Sequence, residues 1–194
     1  FIRIFYFYAP IRHNMKSITV FCASSPGHDP LYCDTAFALG QLLATRGITL
    51  IYGGAKVGLM GKVADGVLDK GRKAIGILPH FLGGKEIAHT GLTELIKVES
   101  MHERKTRMNE LCEGVIALPG GFGTLEELFE MLTWAQLGLH QKPIGLLNTD
   151  GFYDCLLQLL QTMTDKGLLK EENRRMLLVS DNAADLLTQM ETYI

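Results

Sequence analysis

The segment VIALPGGFGTLEELFEML, residues 115–132, decides the fold. Val115 to Leu118 form an unbroken apolar run of strand length, and a run without alternation suits a strand buried on both faces. Pro119, Gly120, Gly121 and Gly123 then break the pattern. From Thr124 to Leu137, Leu125, Leu128, Phe129 and Leu132 recur at i, i+3, i+4 and i+7, the stripe of a helix packed on a sheet. The same unit recurs in both directions. Apolar runs at Ile18 to Cys22, Ile48 to Tyr52, Lys73 to Leu78, Leu95 to Val98 and Pro143 to Leu147 predict strands, with a short one at Leu177 to Val179. Helices are predicted over Leu31 to Arg46, Leu59 to Lys70 and Met101 to Cys112. Pro79 to Thr93 reads as a loop, and most of the chain after Leu147 as helix. Continuous strands separated by helices make a parallel sheet covered on both faces. With right-handed crossovers this is a three-layer, doubly wound, Rossmann-like α/β fold. Such sheets bind ligands beyond the carboxyl ends of their strands, at a switch point.

Composition narrows the function. The 194 residues carry 19 basic and 21 acidic side chains, so no broad positive surface invites nucleic acid or anionic lipid. No apolar run approaches the roughly 20 residues of a membrane span. Cys22, Cys33, Cys112 and Cys155 are widely spaced and form no C-x-x-C pair, which points to reduced thiols in a cytoplasmic protein. Neither they nor the histidines have the spacing of metal ligands. Residues 1–14, FIRIFYFYAPIRHN, are aromatic, broken by Pro10 and lack a small-residue cleavage site. They are expected to be an extension outside a single domain spanning 15–194.

Glycine is the outlier, at 21 residues. Seven of them, Gly53, Gly54, Gly58, Gly61, Gly120, Gly121 and Gly123, sit in two strand-to-helix loops. Residues 52–61 match neither a P-loop nor a G-x-G-x-x-G fingerprint. They suit either an anion at a helix start or a tight turn with no ligand. Residues 119–124 make a compact nest of amide donors suited to phosphate. Thr124 and Glu127 also match a capping box, with Thr124 as N-cap. Two glutamates beside an anion site need a reason, and one is a reaction that develops positive charge, such as an oxocarbenium ion at a sugar carbon. Neighbours on a helix diverge by about 100°, so Glu126 and Glu127 cannot straddle one bond. Upstream, Ser100 and Glu103 form a second capping box, and Arg104, Lys105 and Arg107 concentrate positive charge on the same rim.

Pro119-Gly120-Gly121-x-Gly123-Thr124-x-x-Glu127, with Met101-His102-x-Arg104-Lys105 before it, resembles the LONELY GUY family. The likeness runs from the first strand to about Leu147, and includes Tyr52-Gly53-Gly54 and residues 133–138. The resemblance implies hydrolysis of the N-glycosidic bond of purine nucleoside 5′-monophosphates, AMP or its N6-substituted cytokinin forms, to free base and ribose 5-phosphate. It implies Arg104 and Glu127 as the catalytic pair. Glu86, Lys105, Gly120, Gly121, Gly123, Thr124, Glu126 and Thr133 become substrate contacts, and Ser24, Gly53 and Gly54 phosphate-loop positions. It further implies a homodimer, whose second copy would act as the lid that one small domain lacks. No cofactor or metal is expected. The alternative is a non-catalytic nucleotide sensor or carrier on the same fold, with Glu127 only capping. Nothing marks a Schiff-base lysine for pyridoxal phosphate.

Overall fold

The computed structural model describes residues 14–82 and 88–193. The extension expected over 1–14 lies outside these except for Asn14, and so does Glu86. Seven strands, β1 (Ser17–Phe21), β2 (Thr49–Tyr52), β3 (Ala74–Pro79), β4 (Glu94–Val98), β5 (Gly114–Ala117), β6 (Ile144–Leu147) and β7 (Leu177–Ser180), form one sheet. Its order is β4-β3-β2-β1-β5-β6-β7, and every pairing is parallel. The chain winds outward from β1 to β4, then returns to the other side of β1 for β5. The switch point therefore lies between β1 and β5.

Helices cover both faces. On one, α1 (Pro30–Thr45), α2 (Gly58–Asp69) and α7 (Ala183–Glu191) bury Leu39, Val63 and Leu186 against Ile18, Leu50 and Ile116. On the other, α3 (Met101–Leu111), α4 (Phe122–Gln136) and α5 (Asp154–Asp165) bury Met108, Leu128 and Leu160 among residues that include Phe21, Ile77 and Val115. A short α6 (Glu171–Arg174) leads into β7. Side chains alternate across each strand, so adjacent residues of one apolar run feed opposite cores. The segment expected as loop from Pro79 to Thr93 contains the end of β3 and a 3₁₀ turn at His80–Leu82.

Two tethers fix the elements around the switch point. α1 and α2 touch backbone to backbone: a methyl group at Gly40 would overlap the Val63 carbonyl oxygen, and one at Gly66 the Phe37 carbonyl. Across the sheet, Tyr153 is buried and its hydroxyl donates to the Leu118 carbonyl at 2.6 Å, holding the start of the Pro119–Gly121 turn. Tyr153→Phe leaves that carbonyl without its donor and is expected to cost about 1–2 kcal/mol. For a chain of this size the melting temperature falls by about 4 °C, readable by calorimetry.

Candidate functional site

A cleft of about 370 Å³ opens at the carboxyl ends of β1 and β5. The chain after β1 (Cys22 to Ser25) forms one wall, with Gly53 beyond β2 beside it. Met101, Arg104 and Met108 of α3 form another, and Gly121 to Thr124 with Glu127 close the site from α4. A larger hollow of about 670 Å³ lies at the opposite ends of the strands. Its charged groups are already engaged: Glu113 accepts the Lys16 amide, and Lys142 is held by Asn109. The chemistry sits in the smaller cleft.

α4 starts earlier than its capping-box pattern predicts. Gly121, in extended backbone, is the N-cap, and Phe122 is the first helical residue. The Pro119–Gly121 turn brings the helix on three residues sooner, and Thr124 turns inward, buried against Gly120. Thr124 is thus not the cap, and Glu127 sits in the second turn, clear of the helix start. The amides of Phe122, Gly123 and Thr124 have no acceptor within the helix, and these residues line the cleft. The second capping box forms with one change. Ser100 Oγ accepts from the Glu103 amide at 3.1 Å, while Glu103 reaches back to the amide of Glu99, one residue beyond the cap.

The other glycine loop is built differently. Leu59 and Met60, at the start of α2, both donate to the Ala23 carbonyl, at 3.1 and 3.3 Å. Those amides are therefore spent on the protein itself. What this loop gives the site is room. A methyl group at Gly53 would occupy the place of the Arg104 guanidinium. Gly54 lies away from the cleft lining, with φ +80° and its carbonyl accepting from His89. Ser24 is exposed at the cleft mouth.

The positive charge that the sequence concentrates on α3 is divided among three different surroundings. Arg107 pairs with Glu110 at 2.8 Å. Lys105 crosses to α4, where it meets Glu126 at 2.5 Å and Glu130 at 3.1 Å. Arg104 points inward and is only 7% exposed. Its Nη1 approaches Met101 Sδ at 3.7 Å, and its Nε finds no acceptor among the described residues. A buried guanidinium with open donors is costly unless a ligand completes it. Glu127 lies half-buried in the same cleft, with no ion-pair partner within 4.0 Å among the described residues. Burial pushes its carboxyl up to about 7, against the pull of Arg104 and with a further push from Glu126. Beneath it the buried Cys22 thiol is driven far above its ordinary range, chiefly by desolvation, and stays neutral.

The cleft therefore unites Ser24, Gly53, Arg104, Gly121, Gly123, Thr124 and Glu127. Gly120 lies beside it, lining a small apolar hollow next door. Lys105 and Glu126 meet across the α3–α4 seam, and Thr133 is exposed further along α4, its hydroxyl spent on the Phe129 carbonyl at 2.7 Å. Glu130 escaped sequence reasoning. Its spacing of four from Glu126 was visible, but its partner lies 25 residues away in sequence. Cys22 also escaped, since a residue ending an apolar strand reads as core.

The family model described as "Possible lysine decarboxylase" matches residues 60–190. The cytokinin riboside 5′-monophosphate phosphoribohydrolase LOG2 of Arabidopsis thaliana is 45% identical over 183 residues, 94% of this chain and 86% of the relative. The protein named LOG in Oryza sativa subsp. japonica is 44% identical over 94% of this chain and 76% of its own. Among solved structures, a protein designated TM1055 superposes with a TM-score of 0.70 at 25% identity, covering 93% of this chain and all (100%) of that one. The molybdenum cofactor binding protein of Rippkaea orientalis has the same fold, with a TM-score of 0.67 at 24% identity over 91% and 96% of the two chains. Identity near 45% over almost the whole length, together with the family-model match, settles kinship: the chain belongs to the LONELY GUY family.

Proposed function

We propose that this protein hydrolyses the N-glycosidic bond of purine nucleoside 5′-monophosphates, AMP or N6-substituted cytokinin forms, to free base and ribose 5-phosphate. One observation carries the reading: a buried guanidinium with open donors and a carboxylate of raised proton affinity share a cleft that ends on a helix start. The phosphate lies on the amides of Phe122 to Thr124, where helix dipole and open donors favour it. Ser24 borders the same cleft, and Gly53 leaves the room that the Arg104 guanidinium fills. The ribose then reaches toward Arg104 and Glu127. As the C1′–N bond breaks, its electron pair leaves with the base, which takes up a proton from solvent, and the sugar becomes an oxocarbenium ion. Ionised Glu127 stabilises that cation and accepts a proton from the attacking water. The proton that Glu127 takes from water returns to solvent afterwards. Arg104 donates to the substrate's oxygens and holds Glu127 toward its ionised form. The residues call for no cofactor.

The decisive experiment is chromatography after incubation with AMP and with isopentenyl-AMP. Free base and ribose 5-phosphate in equal amounts are expected from at least one. Protein that binds AMP and releases no base is a carrier or sensor instead, since fold alone does not separate these roles. Because Glu127 must be ionised, kcat/KM is expected to rise with pH through about 7 and level off above it.

We further infer a homodimer in the cytoplasm. Phe122, 94% exposed, heads a stripe on α4 that runs through Glu126, Thr133 and Leu137. An aromatic and a leucine at the two ends of an open face beside the cleft suit a second copy as its cover. Light scattering is expected to give twice the chain mass of 21.5 kDa, and Phe122→Asp to halve it. The four unpaired cysteines agree with a reducing compartment.

A further inference from the structure

Glu127 is surrounded by charge from its own helix and from the one packed beside it. Arg104 and Lys105 face it from α3, Glu126 and Glu130 lie on α4, and the neutral Cys22 thiol comes from the chain just after β1. Neighbouring residues on a helix diverge by about 100°, so Arg104 enters the cleft while Lys105 spans the seam. Lys105 is only 14% exposed and reaches two carboxylates one helical turn apart, Glu126 at 2.5 Å and Glu130 at 3.1 Å. Glu130 is itself 22% exposed, so this is a half-buried bridge rather than a surface pair.

We propose that Lys105 and Glu130 form a positioning clamp between α3 and α4, which fixes Arg104 relative to Glu127 and sets the charge that Glu127 feels. The proposal rests on the reading of Glu127 as the working carboxylate. Three carboxylates (Glu126, Glu127, Glu130) meet two cations (Arg104, Lys105) in this cluster. Lys105 is shared by two of the three, and Glu127 is the one left without an ion-pair contact among the described residues. Burial is the main reason that Glu127 holds its proton, and the charges around it adjust that hold. The cluster thus acts in two senses at once. Glu130 disfavours the ionised form of Glu127, and Lys105 favours it.

Opposite signs make the test sharp. In the full chain with 13C-labelled glutamate, the Glu127 carboxyl is followed by NMR through a pH titration, its signal assigned by its loss in Glu127→Gln. In Glu130→Gln the midpoint is expected to fall by about half a unit, and in Lys105→Met to rise by about as much, with Lys105→Arg returning it to the wild-type position. A purely structural bridge lowers the melting temperature of both variants and leaves the midpoint unmoved, or moves it the same way in both. Either result overturns the clamp. If Lys105→Met does not fold, Glu130→Gln alone decides, because Lys105 keeps Glu126: a lower midpoint supports the clamp, an unchanged or higher one overturns it. The titration needs no turnover. Wild-type protein that releases no base therefore overturns the proposed hydrolysis, while the clamp is still judged by the two midpoints.

Discussion

Glu127→Gln is expected to lower base release from nucleoside monophosphates by about a thousandfold while AMP still binds within a few-fold of wild type. Glutamine keeps the shape of the side chain and its hydrogen-bonding oxygen. It cannot carry the negative charge that an oxocarbenium ion needs, nor take a proton from water. Stability provides the control. In the fold this carboxyl titrates at about 7, against an ordinary value of 4.5. Between those values the native state holds more protons than the unfolded chain, so wild-type stability falls as pH rises through the window and levels off above about 7. Glutamine has no such loss. The variant's melting temperature relative to wild type is therefore expected to climb from pH 4.5 to pH 8, while its activity is gone. An inactive variant that is also less stable at pH 8 has lost its fold rather than its chemistry. Full turnover in the variant refutes the role of Glu127 outright.

Gly40→Ala is expected to destabilise the protein by about 3 kcal/mol, lowering its melting temperature by about 9 °C. The sign is the informative part. In an exposed helix interior the same change stabilises by about 1 kcal/mol, because alanine has less backbone freedom to lose. At Gly40 the added methyl group lands on the Val63 carbonyl of α2, and Gly66 faces Phe37 of α1 in the same way. Neither obstacle is the far end of a flexible side chain, so relief requires the two helices to separate and open the core around Leu39 and Val63. Urea denaturation of Gly40→Ala and Gly66→Ala reads the loss. A rise in stability for either refutes the contact.

The sequence made the architecture legible where physics acts locally. Each buried strand is an apolar run, and helix stops such as Gly47 and Gly71 carry their signature in one residue. The rim chemistry was legible too, because Arg104 and Glu127 lie in short motifs on elements that must end on the same side of the sheet. Three things were not. The start of α4 follows the Pro119–Gly121 turn rather than the Thr124–Glu127 spacing, since two local rules compete and the turn wins. Lys105 was expected among the rim cations and substrate contacts, and its bridge was not legible because its partners arrive from another helix. Gly40 has no local pattern that marks its task, since only the crossing of α1 and α2 gives it one.

Ala23 joins the two glycine loops. Its carbonyl holds the start of α2, and its own amide donates to Pro119, at 3.4 Å, just before the nest of α4. One residue thus ties both walls of the cleft together, through its amide on one side and its carbonyl on the other. A ligand entering such a rigid mouth has little ordering to impose. In a calorimeter, ribose 5-phosphate should bind with a small entropic penalty, and Ala23→Gly should enlarge that penalty by letting the two loops wander separately.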